Sequence, residues 1–573
     1  MPLTRRVRLW VLLAISVLLV ALYGGCGRQE EPGPPGLPAP GTVFAFVIPS
    51  EPETFDPALM SDPSNFTLLS ALFEGLTAFD PRDASPVPGV AARWEISPDG
   101  LTYTFHLRRA MWSNSQPILA TDFLYAWRRI LDAATGSPFA ALLYPVANAR
   151  GYHLGEMSDF SEVGLSAPDE STLIVRLEHP APYFLHVLAY PALAPVPPER
   201  LAAHGPRWAL PQNLICNGAF IIEQHVPGVA IQLRRNSAYW DSRSVKLLYA
   251  TAVVEHDLRH SFVPYLNGDA DWITSIMPHQ AGLVSDRADF HTTPLLGTFF
   301  LCFNTDASPV DDPFVRKALN LAIDKRDICE NILLAGQQPA ATLVPPSLPA
   351  YAPPAAIASD ADAARLALAD AGFPDGSNLP PIQILCNDHP VVLLIAEAIR
   401  RSWSDTLNVH AEVVALPYDA FGETLQRGEF IVATYSWLAD FPDPVNFLEL
   451  FSSESEHNFT SWHDENYDSL LAQARHAVGP ASRMALLRQA EELLLERANV
   501  IAPVYHYAEA YLLAPRVENF FENVLNIHPL KAISVNPQAP PPPPPGPRLM
   551  PPQSPEGAPI EPENTEGERA PGT

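Results

Sequence analysis

The apolar residues of this chain fall into two recurring patterns. Val43-Phe-Ala-Phe-Val-Ile48 runs without a polar break, as a strand buried on both faces does. Thr102-Tyr-Thr-Phe-His-Leu107 alternates polar and apolar, the mark of a half-exposed strand, and Thr172–Leu177 reads as another strand. Helical spacing begins at Asp62-Pro63-Ser64, with Leu68, Leu69, Leu72 and Phe73 on one face and Gly75 as the stop. Thr121-Asp122 opens a second helix that turns Phe123, Leu124, Trp127, Ile130 and Leu131 inward. A third runs from Asp312-Pro313, with proline at its first position, toward Gly336. Further helices are predicted over 360–371, 391–407, 466–477 and 481–497, and strands near 382–385, 409–414 and 430–435. Strands alternating with helices predict an α/β architecture, and no internal repeat is present.

Both ends of the chain depart from this pattern. Arg5, Arg6 and Arg8 precede the short apolar run Leu9–Leu22, and then comes Tyr23-Gly-Gly-Cys26. That order is a targeting segment, excluded from the fold. Small residues before Cys26 resemble the lipobox of bacterial lipoproteins, which implies acylation of Cys26 and an extracytoplasmic, membrane-anchored protein; Tyr23 stands where an aliphatic residue is usual. Residues 27–41 read as a proline-rich tether. Residues 537–573 hold 14 prolines, too many for a packed core, and are expected to be a disordered or polyproline tail. The body is therefore 42–536, long enough for two or three domains.

Acidic residues number 64 against 36 basic ones, a net charge of −28, which excludes a nucleic-acid footprint. Cys216, Cys302, Cys329 and Cys386 form no CxxC pair; they read as small buried hydrophobes, with one disulfide among them left open. No nucleophile elbow, HExxH, P-loop or dinucleotide fingerprint is present, so an enzyme is not expected, nor a cofactor. His256-Asp257 with His260, and Glu456-His457 with His463-Asp464, could be drawn as metal ligands, but their loose spacing reads as solvated surface.

The stretch Ala433-Thr-Tyr-Ser-Trp-Leu-Ala-Asp440-Phe-Pro-Asp-Pro444 stands out. It begins as a strand and ends in a carboxylate before two prolines, which lack the donor needed to continue a ladder. Taken locally, Asp440 is a turn residue.

Several blocks change that reading. Leu72-Phe-Glu-Gly-Leu76, Pro88-Gly-Val-Ala91, Trp94 and Ser97-Pro-Asp-Gly-Leu-Thr-Tyr-Thr-Phe-His-Leu-Arg108 resemble the N-terminal signature of the oligopeptide-type substrate-binding proteins of ABC transporters, solute-binding family 5. Trp112, Ala120-Thr-Asp-Phe123, Tyr125-Ala-Trp127, Asn217-Gly-Ala-Phe220, Tyr239-Trp240, Phe314-Val-Arg316, the Asp440 stretch and Pro503-Val-Tyr-His-Tyr507 follow in matching order. The resemblance implies the two-lobe, hinge-linked fold of type II periplasmic binding proteins with an extra N-terminal α+β domain. Lobe one would comprise 42–74, 199–295 and 508–536, the extra domain 75–198, and lobe two 296–507. It also implies a monomeric receptor that encloses a short peptide between its lobes and delivers it to an ABC permease.

The site residues implied by position are Asp440, as counter-ion of the peptide α-ammonium, with Ser436, Trp437 and Leu438 on one strand wall and Ser61 and Asp62 on the other. Tyr505, Tyr507, Asn387 and Phe139 would complete the lining. There are departures from the family. Pro63 removes a backbone donor from its wall, and Phe139 stands where tyrosine is common. Leu425, Thr434 and Val392 stand where related receptors place basic residues against the ligand carboxylate, with Arg427 as a nearby substitute. The alternatives are a cell-wall (murein) peptide; a metal chelate, haem or an oligosaccharide on the same fold; or a signalling receptor that recruits through the tail.

Overall fold

The computed structural model describes residues 43–539, apart from 61, 258–259, 275, 355–357 and 478. The targeting segment with Cys26, the tether, the tail from 540 onward and Ser61 lie outside the described residues.

One 11-stranded sheet runs through the body. Its order is Ala411–Leu416, Ile382–Asn387, Val432–Leu438, Phe290–Phe303, Ile501–Leu513, Trp272–Ile273, Phe44–Ile48, Tyr249–Val254, Ala230–Arg235 and Phe220–Val226, with Gln338–Pro339 paired to Ile501–Leu513. Two long antiparallel strands, Phe290–Phe303 and Ile501–Leu513, join its halves. At one end the first of them pairs with Val432–Leu438, and at the other end Leu512 and Leu513 pair with Ile273 and Trp272. Between these ends the register shifts at Pro294/Thr298, where proline withholds a ladder hydrogen bond. The two halves are thus α/β lobes joined through a pair of strands with a local irregularity, the two-lobe fold that the family resemblance implies.

Period two explains why the long strands are so apolar. Phe299, Leu301 and Phe303 face one core of the second lobe, while Phe300 and Cys302 face the other. Phe44, Phe46 and Ile48 against Val47 repeat this in the first lobe. A strand covered by helices on both faces has no polar side to alternate with.

Residues 75–198 contain a separate four-stranded antiparallel sheet, ordered Ala91–Ile96, Thr102–Leu107, Thr172–Arg176, Leu165–Asp169. Tyr103, Phe105, Leu173 and Val175 share a core with Phe123, Trp127 and Ile130 of the helix Ala120–Leu131.

Local differences from the sequence reading have local causes. The helix expected over 312–336 is broken into Pro313–Leu321, Lys325–Asp327 and a wide turn at Ile328–Leu333, because Asp324 accepts from Asp327 N–H (3.0 Å) and starts a new helix. The strand near 409–414 occupies Ala411–Leu416. All four body cysteines are buried free thiols, and burial pushes Cys216 and Cys329 up to about 12. This settles the open alternative in favour of small hydrophobes.

The family-like residues Glu74 and Asn217-Gly218 are structural. Asn217 accepts from Glu74 N–H (3.0 Å) and donates to Glu74 C=O (2.7 Å). The Glu74 carboxylate takes Tyr239 Oη, Trp240 Nε1 and Lys531 Nζ, each at 2.6 Å. Gly218 N–H bonds Leu72 C=O at 2.7 Å, and a Cβ there would lie 2.4 Å from the Leu72 carbonyl carbon. Gly218→Ala is expected to cost about 1–3 kcal/mol by overpacking against backbone, read as a lower denaturation midpoint; an unchanged midpoint would show that the two segments separate freely.

Candidate functional site

The strand Val432–Leu438 pairs along one edge with Gly297–Phe303. Its other edge meets Ile384 and Leu385 only at Val432 and Ala433. From Thr434 onward that edge has no strand partner among the described residues, and such a row of free N–H and C=O groups is a template for an added strand. Tyr435 and Trp437 turn toward the second lobe's core, whereas Ser436 and Leu438 are exposed on the opposite face. Tyr507 lies on that face from the long strand Ile501–Leu513, one strand beyond Phe290–Phe303. Its ring sits 3.1 Å from where a Gly297 Cβ would be, and its hydroxyl pairs with Ser436 and Tyr505. Gly297 is thus the residue that lets Leu438 and Tyr507 close over the hinge strand.

After Leu438, Ala439 N–H still bonds Leu296 C=O (2.7 Å), and then Pro442 and Pro444 end the ladder. The corner that follows is tightly held. Asn446 Oδ1 accepts from Trp437 Nε1 (2.8 Å) and from Asp440 N–H (3.3 Å). Asp443 accepts two bonds from Arg483, both 2.8 Å, and one from Val445 N–H at 3.0 Å, all in the protein interior.

Asp440 is presented on this corner. It retains some accessible surface yet is surrounded by protein. Burial pushes its carboxyl up to about 6, offset in part by a hydrogen bond from the Asn446 side chain. No described cation lies within ion-pair reach of it. Across from it is Tyr190 of the 75–198 segment, whose hydroxyl is raised by burial and then by the Asp440 charge. Tyr190 packs on Phe139 (6.2 Å between ring centroids) and Phe66 (5.2 Å), and the next residue after Asp440, Phe441, stacks on Tyr183 at 4.2 Å. The second lobe and the 75–198 segment therefore meet around Asp440.

The remaining expected residues divide. Tyr505 is buried, stacked on Phe299 (5.1 Å, 7°), and belongs to the core. Asn387 is half-buried at a strand end, where its Oδ1 accepts from His389 N–H (3.1 Å). Asp62 is committed to its own loop: burial raises its carboxyl, but bonds from the Ser50 hydroxyl, the Ser64 hydroxyl and Ser64 N–H outweigh this and hold it low. Arg427 does not substitute for the missing basic residues. It is exposed and paired with Glu429 (2.9 Å) and Glu423 (3.5 Å), while Leu425 and Thr434 are buried.

The drawn metal sets do not assemble either. Asp464 caps the helix Glu465–His476, His457 packs against Trp437 (5.2 Å), and among the described residues no group of three ligand-type side chains could hold a metal.

No pattern in the sequence singles out Asn446 or Arg483, the residues that hold this corner. Glu509 follows Tyr505 and Tyr507 at strand spacing, a signal the sequence does carry.

A family model of bacterial extracellular solute-binding proteins, family 5, matches residues 85–459. The probable deoxycholate-binding periplasmic protein YgiS of Escherichia coli K12 is 31% identical over 88% of this chain and 95% of its own length. The oligopeptide-binding protein OppA of Bacillus subtilis 168 is 29% identical over 88% of this chain and 94% of its own. The solved Escherichia coli murein tripeptide binding protein MppA superposes with a TM-score of 0.74 at 30% identity, covering 86% of this chain and 98% of that one.

Proposed function

This chain belongs to the family 5 bacterial extracellular solute-binding proteins, and on that footing we propose that it captures short peptides between its lobes and passes them to an ABC permease. The observation that carries the peptide reading is Asp440, a desolvated carboxylate with no cation among the described residues, at the end of a strand whose free edge can pair a ligand backbone. An α-ammonium supplies the missing charge, and the edge from Ser436 to Leu438 supplies backbone donors and acceptors without reading side chains. Tyr507 walls the ligand on the exposed face of the strand, while Trp437 supports that strand from the core side, and Phe139 contributes apolar surface from the far side. The site binds and releases, and no residue set in it performs chemistry.

The finer assignments belong to the same reading. The protein works as a monomer outside the cytoplasm, tethered through acylated Cys26, with the lobe and extra-domain limits given above. Among the described residues no helix is long and apolar enough to cross a membrane. A murein peptide also carries the required amine, and a relative is named for such a ligand. Deoxycholate, named for another relative, has no amine and would leave Asp440 uncompensated.

Native mass spectrometry of the full chain purified from its own cells is expected to show retained peptide masses that are lost on denaturation. A retained ligand without an amine would overturn the peptide reading.

A further inference from the structure

Asp440 accounts for one end of a ligand, but a second carboxylate on the same wall has no part in that account. Glu509 lies on the long strand Ile501–Leu513, two residues beyond Tyr507 and therefore on its face, opposite Thr293 and beside the register shift at Pro294/Thr298. It keeps some accessible surface, yet protein surrounds it, and no described side chain or backbone group bonds or pairs with its carboxylate. Its charged form is disfavoured by burial alone, which pushes the carboxyl up to about 8. The charge is felt by Tyr511, the next residue on that face, whose hydroxyl donates to Glu522 (3.1 Å).

We propose that Glu509 is a second cation-recognition residue, which receives a basic side chain of the ligand while Asp440 holds its α-ammonium. This rests on the peptide reading above. The strands carrying the two carboxylates run in the same direction on either side of Phe290–Phe303, with Leu438 level with Gly297 and Ala439 bonded to Leu296. That puts the backbones of the two residues near one end of the sheet, about 10 Å apart across two strand spacings and about two residues apart along them, a span an extended peptide covers in about four residues. An ammonium or guanidinium arriving there pairs with ionised Glu509, and the carboxyl proton leaves to solvent. Leu425 and Thr434 are buried and Arg427 is paired with Glu429 and Glu423 on the surface, so none of these positions offers a free cation to compete for Glu509.

The test is calorimetry on the full chain with alanine tetrapeptides carrying one lysine, moved through the positions, each against its norleucine counterpart. At one position or more, lysine is expected to bind at least about tenfold tighter, as a charge-assisted contact does, and Glu509→Gln should erase that preference while leaving the norleucine peptides within about twofold. Equal affinities for lysine and norleucine at every position, or an equal loss for both in Glu509→Gln, overturn the assignment and leave the peptide reading intact. Failure of every peptide to bind the unmodified protein overturns both. The thermal midpoint of Glu509→Gln is expected to be no lower than that of the parent, since the substitution removes an uncompensated buried acid.

Discussion

Asp440→Ala is expected to weaken binding of free-amine peptides by at least about 100-fold, the loss of a buried charge-assisted contact worth roughly 3 kcal/mol. Peptides with an acetylated N-terminus should bind the parent protein as weakly as free peptides bind the variant. Titration calorimetry with one peptide in both forms checks this. Equal binding of the two forms by the parent removes Asp440 from ligand recognition.

The same carboxylate sets a pH dependence with a definite sign. Burial raises it from 3.8 to about 6 in the empty protein, and only the ionised form can neutralise an ammonium. Affinity is therefore full above about pH 6 and falls as pH drops through that value, by up to about tenfold per pH unit. For the empty protein the sign is reversed. A folded-state value above the unfolded one contributes stability below about pH 4 that is lost as pH rises through about 6. Asp440→Asn should accordingly raise the thermal midpoint of the empty protein at neutral pH while removing the acid sensitivity of binding.

Arg483→Ala is expected to lower folding stability by about 3–5 kcal/mol, because it leaves Asp443 charged and unpaired in the interior. The effect should reach the site. Asp443 fixes the turn from Phe441 to Val445 through Arg483 and Val445 N–H, and Asp440 is the residue immediately before that turn. At temperatures where the variant remains folded, its peptide affinity should therefore fall as well. Chemical denaturation together with calorimetry measures both. A loss below about 1 kcal/mol would mean that water enters and solvates Asp443, as at a surface ion pair.

Much of the fold was legible because one-dimensional period reports burial. Continuous apolar runs such as Val43–Ile48 became strands covered on both faces, and the alternation of Thr102–Leu107 became a strand with one wet side. The helix at Ala120–Leu131 follows its apolar face. The long helix expected over 312–336 broke because a capping aspartate, Asp324, competes locally with an unbroken apolar stripe. The two joining strands were harder to read. Thr298–Phe303 looks like any buried run, and its special role comes from what pairs at each end of it.

The sequence by itself determined the alternation of strands and helices, the strand that ends at Asp440, and the proline stop that puts a carboxylate on a corner, since these depend on neighbours a few residues apart. Only the tertiary structure decided that Asp440 faces the 75–198 segment with no cation among the described residues, that Asn446 and Arg483 hold its corner, and that Arg427, Tyr505 and Asp62 are occupied elsewhere. The physical reason is that a side chain's charge, hydration and partners are set by groups remote in sequence. Asp443 meets an arginine 40 positions away, and Asp440 loses its water to walls from two different parts of the chain.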